Sequence, residues 1–229
     1  MTRGEESSTV ARAVSERGEL VLRRRHDGPL ELRANGVFVM DDDEVSSERR
    51  LAEASLAAAA DPRRVLVAGL GLGITLAAVL EDPRVERVTV VELEPVLIDW
   101  LRADVVPGGA ALLGDPRVDM RVDDVAAVVA DAAAAAYDVV LLDVDNGPDF
   151  LVHDDNADLY REPFLRRCAR VLSAKGVLVV WSMNESAALV DALGAAFPQV
   201  WTERCRVRLG GRDAAYWLHL ARAGPTGGH

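Results

Sequence analysis

Apolar residues in this chain are grouped into short uninterrupted runs that alternate with segments of helical periodicity. From Arg64 onward these runs predict five strands, at 64–68, 87–92, 117–122, 137–142 and 176–181. Strands that are apolar on both faces are typical of a parallel sheet covered by helices on each side. The pattern therefore predicts a doubly wound α/β domain.

Before this region the apolar runs are shorter and alternate with polar residues. Runs at 19–23, 30–33 and 37–40 are separated by His-Asp-Gly and Asn-Gly, which are turn-forming sequences. They predict a small antiparallel β-meander. The polar residues 1–16, which precede it, are expected to be loose.

A helix and a hairpin complete the predicted architecture. Ser46 or Ser47 is expected to cap a helix that continues to about Ala60, and runs at 200–208 and 214–220 predict a closing antiparallel hairpin. Five parallel strands followed by such a hairpin are the layout of the Rossmann-like fold of class I S-adenosylmethionine (SAM)-dependent methyltransferases. The predicted parts are a flexible N-terminus, the meander, a cofactor-binding α/β domain and a loose tail, over 1–16, 17–45, 46–223 and 224–229.

Three glycines at alternate positions follow the first strand of the α/β region. Gly69, Gly71 and Gly73 give the spacing G-x-G-x-G, whereas dinucleotide-binding folds usually show G-x-G-x-x-G, which would place the third glycine at Ile74. The shorter spacing favours the nucleoside of a SAM-type molecule over NAD or FAD. A glycine turn that binds no ligand is the remaining alternative.

Acidic residues stand at the carboxyl ends of the next three strands, where open α/β sheets bind their ligands. Glu92 is placed to accept hydrogen bonds from both ribose hydroxyls. Asp123 and Asp124 are candidates for binding the adenine amino group, and capping of the next helix is the alternative for Asp124. Asp143 is expected beside the sulfonium of the donor, where a carboxylate can take a proton from an attacking amine or only position the cofactor.

Two acidic segments lie near these positions in the predicted fold. One follows Asp143, and the other is the run 41–44 at the junction of the meander and the α/β domain. If both border the crevice they attract a cationic substrate, and if not they are solvated loops of an acidic protein. His153, Asp154 and Asp155 are consecutive and make a poor cage for an ion, so no metal is expected.

Composition narrows the class of partner. The 229 residues carry a formal net charge of −11, which argues against nucleic acid, because phosphate binding requires a basic surface. No apolar run approaches the roughly 20 residues that span a bilayer, and no apolar segment follows the charged N-terminus as it would in a signal peptide. Cys168 and Cys205 lack metal spacing and suggest reduced thiols, so a cytoplasmic protein is expected.

The order of these features resembles that of spermidine synthase and other polyamine aminopropyltransferases. The resemblance runs from about Leu20 to Trp181. It is carried by the meander joined to Asp43 and Glu44, by the glycine turn, by the sequence Val-Glu-Leu-Glu that begins at Val91, and by the strand that ends at Asp143. The resemblance places Asp43 and Glu44 among the substrate-binding residues.

The resemblance implies a reaction and residues for it. Members of the family transfer an aminopropyl group from decarboxylated SAM to an amine and release methylthioadenosine, and they often form dimers or tetramers. By position, Glu92 would bind ribose, Asp124 would bind adenine and Asp143 would be the catalytic acid–base residue. Asp145 and Asn146 would contact the acceptor amine.

The chain departs from the family pattern at three places. Leu72 stands where the glycine turn usually carries an aspartate that holds the amino group of the donor. Ser46 and Ser47 lie where a tyrosine and a histidine or glutamine are usual, and Asn146 replaces a second aspartate, although Asp145 is adjacent. Each lost carboxylate removes a charge-assisted hydrogen bond to an ammonium group, a loss of roughly 1.5–3 kcal/mol.

Three functions are compatible with these residues. The leading hypothesis is a cytoplasmic spermidine synthase-like transferase of polyamine biosynthesis that uses decarboxylated SAM and a cationic amine. The first alternative keeps the fold but methylates a small molecule with intact SAM, which Leu72 favours. The second is a nucleoside-binding protein without catalytic activity.

Overall fold

The computed structural model describes residues 7–151, 154–209 and 212–224 of the chain. These residues form a small antiparallel sheet and a larger, mostly parallel sheet. The predicted turn residues Gly210 and Gly211, His153 of the acidic loop, and residues 225–229 of the predicted tail lie outside the described residues.

The small sheet contains four strands where the sequence predicts three. Its antiparallel strands are β1 (Ser8–Ser15), β2 (Gly18–Arg24), β3 (Leu30–Ala34) and β4 (Val37–Asp41). The expectation of a loose segment is therefore corrected for residues 8–15, because β1 pairs with β2 along its length, and residues 1–6 lie outside the described residues. As an edge strand β1 is held by backbone hydrogen bonds and buries little apolar surface, so it gives no hydrophobic signal.

The larger sheet confirms the doubly wound α/β prediction. Its strands are β5 (Arg64–Ala68), β6 (Arg87–Glu92), β7 (Val118–Val122), β8 (Tyr137–Leu142), β9 (Leu172–Ser182), β10 (Gln199–Leu209) and β11 (Arg212–Arg222). They lie in the order β10-β11-β9-β8-β5-β6-β7, in which β5 to β9 are parallel and the last two strands form the antiparallel hairpin. Because strand residues alternate between faces, Val65 and Leu66 enter two separate apolar cores, one on each side of the sheet.

Helices connect the strands and cover the sheet. They are α1 (Ser46–Ala58), α2 (Ile74–Leu80), α3 (Pro95–Arg102), α4 (Gly109–Leu113), α5 (Val125–Asp131), α6 (Glu162–Val171) and α7 (Ala187–Ala196), and a 3₁₀ helix spans Asp154–Tyr160. None of the helices within the described ranges is long and apolar enough to cross a membrane.

The start of α1 differs from the prediction and matters for the site. Val45 occupies the cap position and no side chain caps the helix, so the expectation of a Ser46 or Ser47 cap is corrected. The hydroxyl of Ser46 instead bonds to Glu44, and that of Ser47 bonds to Glu48. The helix packs against β8 and β9, and Glu48 in its first turn interacts electrostatically with Asp143, the residue after β8.

The topology fixes where a ligand can enter. Strands β5 and β8 are neighbours, but the chain continues from them toward opposite edges of the sheet. Such a switch point opens a crevice at the carboxyl ends of the two strands.

Candidate active site

A cleft of about 1160 Å³, including its opening to solvent, lies at the carboxyl ends of the central strands. Side chains from β2, β3 and β4 form part of its wall, so the small sheet covers one side of it. The predicted site residues that line the cleft are Gly69, Gly71, Glu92, Asp123, Asp124, Asp143 and Asp145. The structure thus brings together residues that are up to 76 positions apart in the sequence.

At two of the three glycines, a side chain would collide with atoms in the wall of the cleft. Gly69 has φ +92°, and a Cβ there would lie 2.1 Å from the carbonyl oxygen of Asp143. Gly71 has φ +51°, and its Cβ would lie 2.5 Å from the sulfur of Met40. The main chain therefore passes close to both the β8 end and the small sheet, in a conformation that glycine adopts without strain.

Gly73 and Leu72 have different roles in the turn. Gly73 occupies the N-cap position of α2 with φ +84° and does not line the cleft. Leu72 is buried in the apolar core, and its N–H lies 3.3 Å from the sulfur of Met40. The glycine turn therefore presents no charged side chain to a ligand.

Glu92, at the end of β6, is held by the main chain on two sides. Its Oε2 accepts the N–H of Leu70 at 2.8 Å, and its Oε1 accepts the N–H of Glu94 at 2.8 Å. Burial raises the pKa of Glu92, and these hydrogen bonds oppose the rise. Each oxygen keeps a lone pair that can accept a ribose hydroxyl.

Glu94 also lines the cleft, and the sequence reasoning missed it. Its side chain accepts the hydroxyl of Ser15 at 3.1 Å and lies 3.9 Å from a guanidinium nitrogen of Arg17. Its Oε2 is buried and has no hydrogen-bond partner among the described residues. A second carboxylate that can accept hydrogen bonds therefore lines the cleft two residues from Glu92.

Asp124 caps a helix, as the alternative interpretation predicted, and it also lines the cleft. Its Oδ1 accepts the N–H of Ala126 at 2.7 Å, which caps α5. Its neighbour Asp123 accepts the N–H of Asp124 at 2.8 Å. Each of these hydrogen bonds uses one oxygen of its carboxylate, and the other oxygen can accept a bond from a ligand. Adenine binding by one of the two residues stays a prediction.

Asp143 stands at the end of β8, and one side-chain hydrogen bond orients it. The hydroxyl of Thr75, in the first turn of α2, donates to its Oδ2 at 2.6 Å. Burial raises the pKa of Asp143 to about 6, and the bond from Thr75 opposes the rise. A carboxylate with a pKa near neutrality is suited to exchange a proton during a reaction.

Glu48, in the first turn of α1, also lines the cleft and was not predicted. The residue is only 8% exposed, and its Oε2 accepts the hydroxyl of Ser47 at 2.6 Å. Burial and the negative charge of Asp143 raise the pKa of Glu48 to about 7. The only sequence signal was an acidic residue at the start of a helix, which the helix dipole alone explains.

A smaller cavity of about 340 Å³ adjoins the cleft. The two share the lining residues Val39, Met40, Glu48 and Trp181. The smaller cavity is also lined by two predicted residues, Glu44 and Asn146, together with Phe38, Asp41, Met183 and Tyr216. Acidic groups and apolar side chains therefore surround one space beside the cleft.

Glu44 and Asp43 differ in where their side chains are engaged. Glu44 accepts the hydroxyl of Ser46 and the N–H groups of Arg208 at 3.0 Å and Ser46 at 2.9 Å, and together these bonds outweigh burial and lower its pKa. Asp43 is exposed, lines neither cavity and lies 3.4 Å from Arg25. Of this predicted pair, the structure brings only Glu44 to the site.

Comparison with known proteins agrees with this arrangement. Residues 44–193 match the model of the spermine/spermidine synthase domain family. The chain belongs to this family. The matched range includes Glu48, the glycine turn, Glu92 and Asp143.

Curated relatives of this family member include two kinds of enzyme. Putrescine N-methyltransferase 4 of Nicotiana tabacum is 35% identical over 120 residues, which are 52% of this chain and 29% of the relative. Polyamine aminopropyltransferase 2 of Pseudomonas aeruginosa is 30% identical over 178 residues, 73% of this chain and 49% of the relative. The chain thus spans less than half the length of either relative.

A solved structure supports the fold. Spermidine synthase from Thermotoga maritima superimposes with a TM-score of 0.80 at 17% identity, over 96% of this chain and 75% of that one. The predicted fold class is therefore confirmed, and the match of residues 44–193 to the family model confirms the predicted family.

Among the carboxylates that follow Asp143 in the predicted acidic loop and whose side chains the structure describes, Asp145 alone reaches the site. Asp145 lines the cleft, has φ +53° and accepts the side-chain N–H of Asn156 at 2.7 Å. Asp158 is exposed and pairs with Arg161 at 2.6 Å, outside both cavities. In the described part of the chain, no group of His, Cys, Asp or Glu is arranged to hold a metal.

Proposed function

We propose that this chain is a polyamine-acting transferase that moves an aminopropyl group from decarboxylated SAM to a primary amine. The observation that carries the proposal is the charge of the cleft. Among the described residues it is lined by seven carboxylates and one cation, Arg17. A cleft of this charge attracts a polycation and repels an anion.

The nucleoside half of the donor fits the end of the cleft around Glu92. The main chain at Gly69 and Gly71 lines this end, and the carboxylates of Glu92 and Glu94 offer acceptors for ribose hydroxyls. The sulfonium of such a donor supplies an electrophilic carbon, and its leaving group is a neutral thioether.

Asp143 is the residue that we assign to the chemistry. The amine attacks the carbon bound to sulfur, a C–N bond forms, and the C–S bond breaks with its electron pair on sulfur. The attacking nitrogen must lose a proton, which Asp143 accepts, and Thr75 fixes the orientation of the carboxylate. The raised pKa of Asp143, about 6, makes it a better proton acceptor than an ordinary aspartate and still allows it to release the proton to solvent near pH 7.

The smaller cavity is the place that we assign to the acceptor. Its aromatic and thioether side chains, including Phe38, Trp181 and Tyr216, suit the methylene groups of a diamine. Its carboxylates suit the ammonium ends. The junction with the cleft would bring one nitrogen toward Asp143.

The choice of donor follows from the same charges. Intact SAM carries a carboxylate on its methionine part, which decarboxylated SAM lacks. The only cation in the described lining, Arg17, already donates to the carbonyl of Leu93 at 3.3 Å and lies beside Glu94, at the ribose end. A negative tail among the remaining carboxylates is therefore disfavoured.

Methyl transfer from intact SAM to a diamine is the second candidate. Its support is the match to putrescine N-methyltransferases, which are 35% identical to this chain over 120 residues. Leu72, which is turned into the core, also leaves the glycine turn without a carboxylate for the donor's amine.

One experiment separates the candidates. The purified full chain is incubated with putrescine and either donor, and the products are identified by mass spectrometry, with Asp143→Asn as the negative control. Methylthioadenosine with an aminopropylated amine supports the proposal, whereas S-adenosylhomocysteine with a methylated amine supports the second candidate. No product from either donor, across a panel of di- and polyamines, would overturn both.

A further inference from the structure

Glu48 is the one ionisable residue that lines both the cleft and the smaller cavity, within the described part of the chain. It stands in the first turn of α1, which packs on β8 and β9. Its carboxylate is therefore built into the wall at the junction where the two proposed substrates would meet. The proposed reaction assigns no role to Glu48.

Glu48 is buried without a protein cation. Its hydrogen-bond partner is the hydroxyl of Ser47 at 2.6 Å, and no Arg, Lys or His of the described residues forms a salt bridge with it. Neighbouring acidic groups are paired differently, since Asp41 lies 2.9 Å from Arg25. A desolvated carboxylate that lacks a counter-ion is costly in the free protein, and a bound cation would offset that cost.

A second group at the junction also lacks a partner. Trp181 is 7% exposed, lines both cavities, and its indole N–H has no hydrogen-bond acceptor among the described residues. Its ring packs against Tyr216 at a centroid distance of 4.7 Å. An aromatic wall next to a carboxylate is suited to an alkylammonium group, because the ring attracts the cation and packs on its methylenes.

We infer that Glu48 binds a primary ammonium group at the junction of the two cavities and thereby determines which amines the site accepts. The inference rests on the proposed function, because both substrates of that reaction carry such a group. One source is the aminopropyl tail of the donor, and the other is the diamine.

Binding of an ammonium group to Glu48 has a measurable proton signature. In the free protein a carboxyl with a pKa of about 7 is half protonated at pH 7. A cation at hydrogen-bond distance stabilises the carboxylate, so binding should release about half a proton from Glu48. A carboxyl that serves only to pack the helix would release none.

The test is titration calorimetry of the full chain at pH 7, in two buffers that differ in ionisation heat. The ligands are methylthioadenosine, decarboxylated SAM, and putrescine added with saturating methylthioadenosine. For Glu48→Gln we expect affinity for one ammonium ligand to fall roughly 10- to 100-fold and the proton release to decrease by about half a proton. Binding of methylthioadenosine, which has no ammonium group, should be unchanged and shows that the variant is folded.

Glu53→Gln is the matched control, because Glu53 lies on the same helix but is exposed and borders neither cavity. It should bind all three ligands as the parent chain does. Loss confined to decarboxylated SAM identifies the donor as the source of the ammonium, and loss confined to putrescine identifies the acceptor. Unchanged affinity and proton release in Glu48→Gln overturn the inference but leave the proposed function intact if the parent chain transfers the group. A parent chain that binds neither amine overturns both.

Discussion

Glu92 ends β6 and Asp143 follows β8, the strands on either side of β5, but their carboxylates have different hydrogen-bond partners. Glu92 receives two main-chain N–H groups, which fix its position and partly compensate its charge. Asp143 accepts one side-chain hydrogen bond, from the hydroxyl of Thr75, and its negative charge raises the pKa of the buried Glu48. The end of the cleft around Glu92, where we propose the nucleoside, is therefore preorganised by main-chain hydrogen bonds. The end around Asp143 and Glu48, where we propose the amine, has buried carboxyls whose negative charge a bound cation would stabilise.

This difference explains how one fold can serve related reactions. Main-chain contacts at the Glu92 end depend on the glycine turn and on strand geometry, which are features of the open α/β sheet itself. The smaller cavity is lined by side chains of α1, β4, β9 and β11 and of the loop after β8, and these side chains can change without altering the main-chain hydrogen bonds of the sheet. Specificity for donor tail and acceptor is expected to reside there.

The largest effect is expected from Asp143→Asn. The amide cannot accept the proton of the amine, so the rate of product formation should fall roughly 10²- to 10⁴-fold. Affinity for methylthioadenosine should stay within about twofold, because the hydrogen bonds of Glu92 are untouched. The measurements are turnover and calorimetric binding, with Asp131→Asn, exposed and outside both cavities, as the control. A variant that turns over at the parent rate would remove Asp143 from the mechanism.

The second-largest effect is expected in the free energy of unfolding, whose pH dependence should report the titration of Glu48. The pKa of Glu48 is raised from 4.5 to about 7 by burial and by Asp143, so between these values the folded protein binds more protons than the unfolded chain. The free energy of unfolding should therefore fall as the pH rises through this window, by roughly 3 kcal/mol at most. In Glu48→Gln this slope should be reduced to the part that the other buried carboxyls with raised pKa values, Asp143 and Glu92, contribute.

Urea unfolding from pH 4.5 to pH 8 measures that slope, and Glu53→Gln again serves as the control. Above pH 7 the Gln variant should be more stable than the parent chain, because it has no buried charge to accommodate. Parallel curves for the parent and Glu48→Gln would mean that Glu48 titrates as it does in water.

The same contrast explains what the sequence could predict. Glu92 and Asp143 terminate strongly apolar strands, and a strand end in an open α/β sheet has a defined place at the crevice. Glu48 lies on a helix whose position over β8 and β9 is a product of tertiary packing, and its spacing from the strands carries no signal. The edge strand Ser8–Ser15 was missed for a related reason, since it buries too little apolar surface to show a pattern.

Glu92→Gln tests the preorganised end directly. One carboxylate oxygen becomes an NH₂ group, which cannot accept the N–H of Leu70 or Glu94 and cannot accept a ribose hydroxyl proton. Loss of charge-assisted hydrogen bonds of this kind is worth roughly 1.5–3 kcal/mol, so affinity for methylthioadenosine should fall about 10- to 100-fold. Glu81→Gln, exposed and paired with Arg49, is the control. If the Gln variant binds the nucleoside normally, the end around Glu92 is not where ribose lies.

The smallest effect is expected at Asp124, where cap and ligand contact are combined in one side chain. Asn retains the oxygen that accepts the N–H of Ala126, so Asp124→Asn should change the free energy of unfolding by less than about 0.5 kcal/mol, whereas Asp124→Ala should lose roughly 1 kcal/mol. The second oxygen of Asp124 becomes a donor in the Asn variant and can no longer accept from the adenine amino group. Affinity for methylthioadenosine should then fall by roughly 1 kcal/mol, or about fivefold. Thermal unfolding and calorimetry measure the two quantities separately. An affinity loss in Asp123→Asn instead would assign adenine to Asp123 and leave Asp124 with the cap alone.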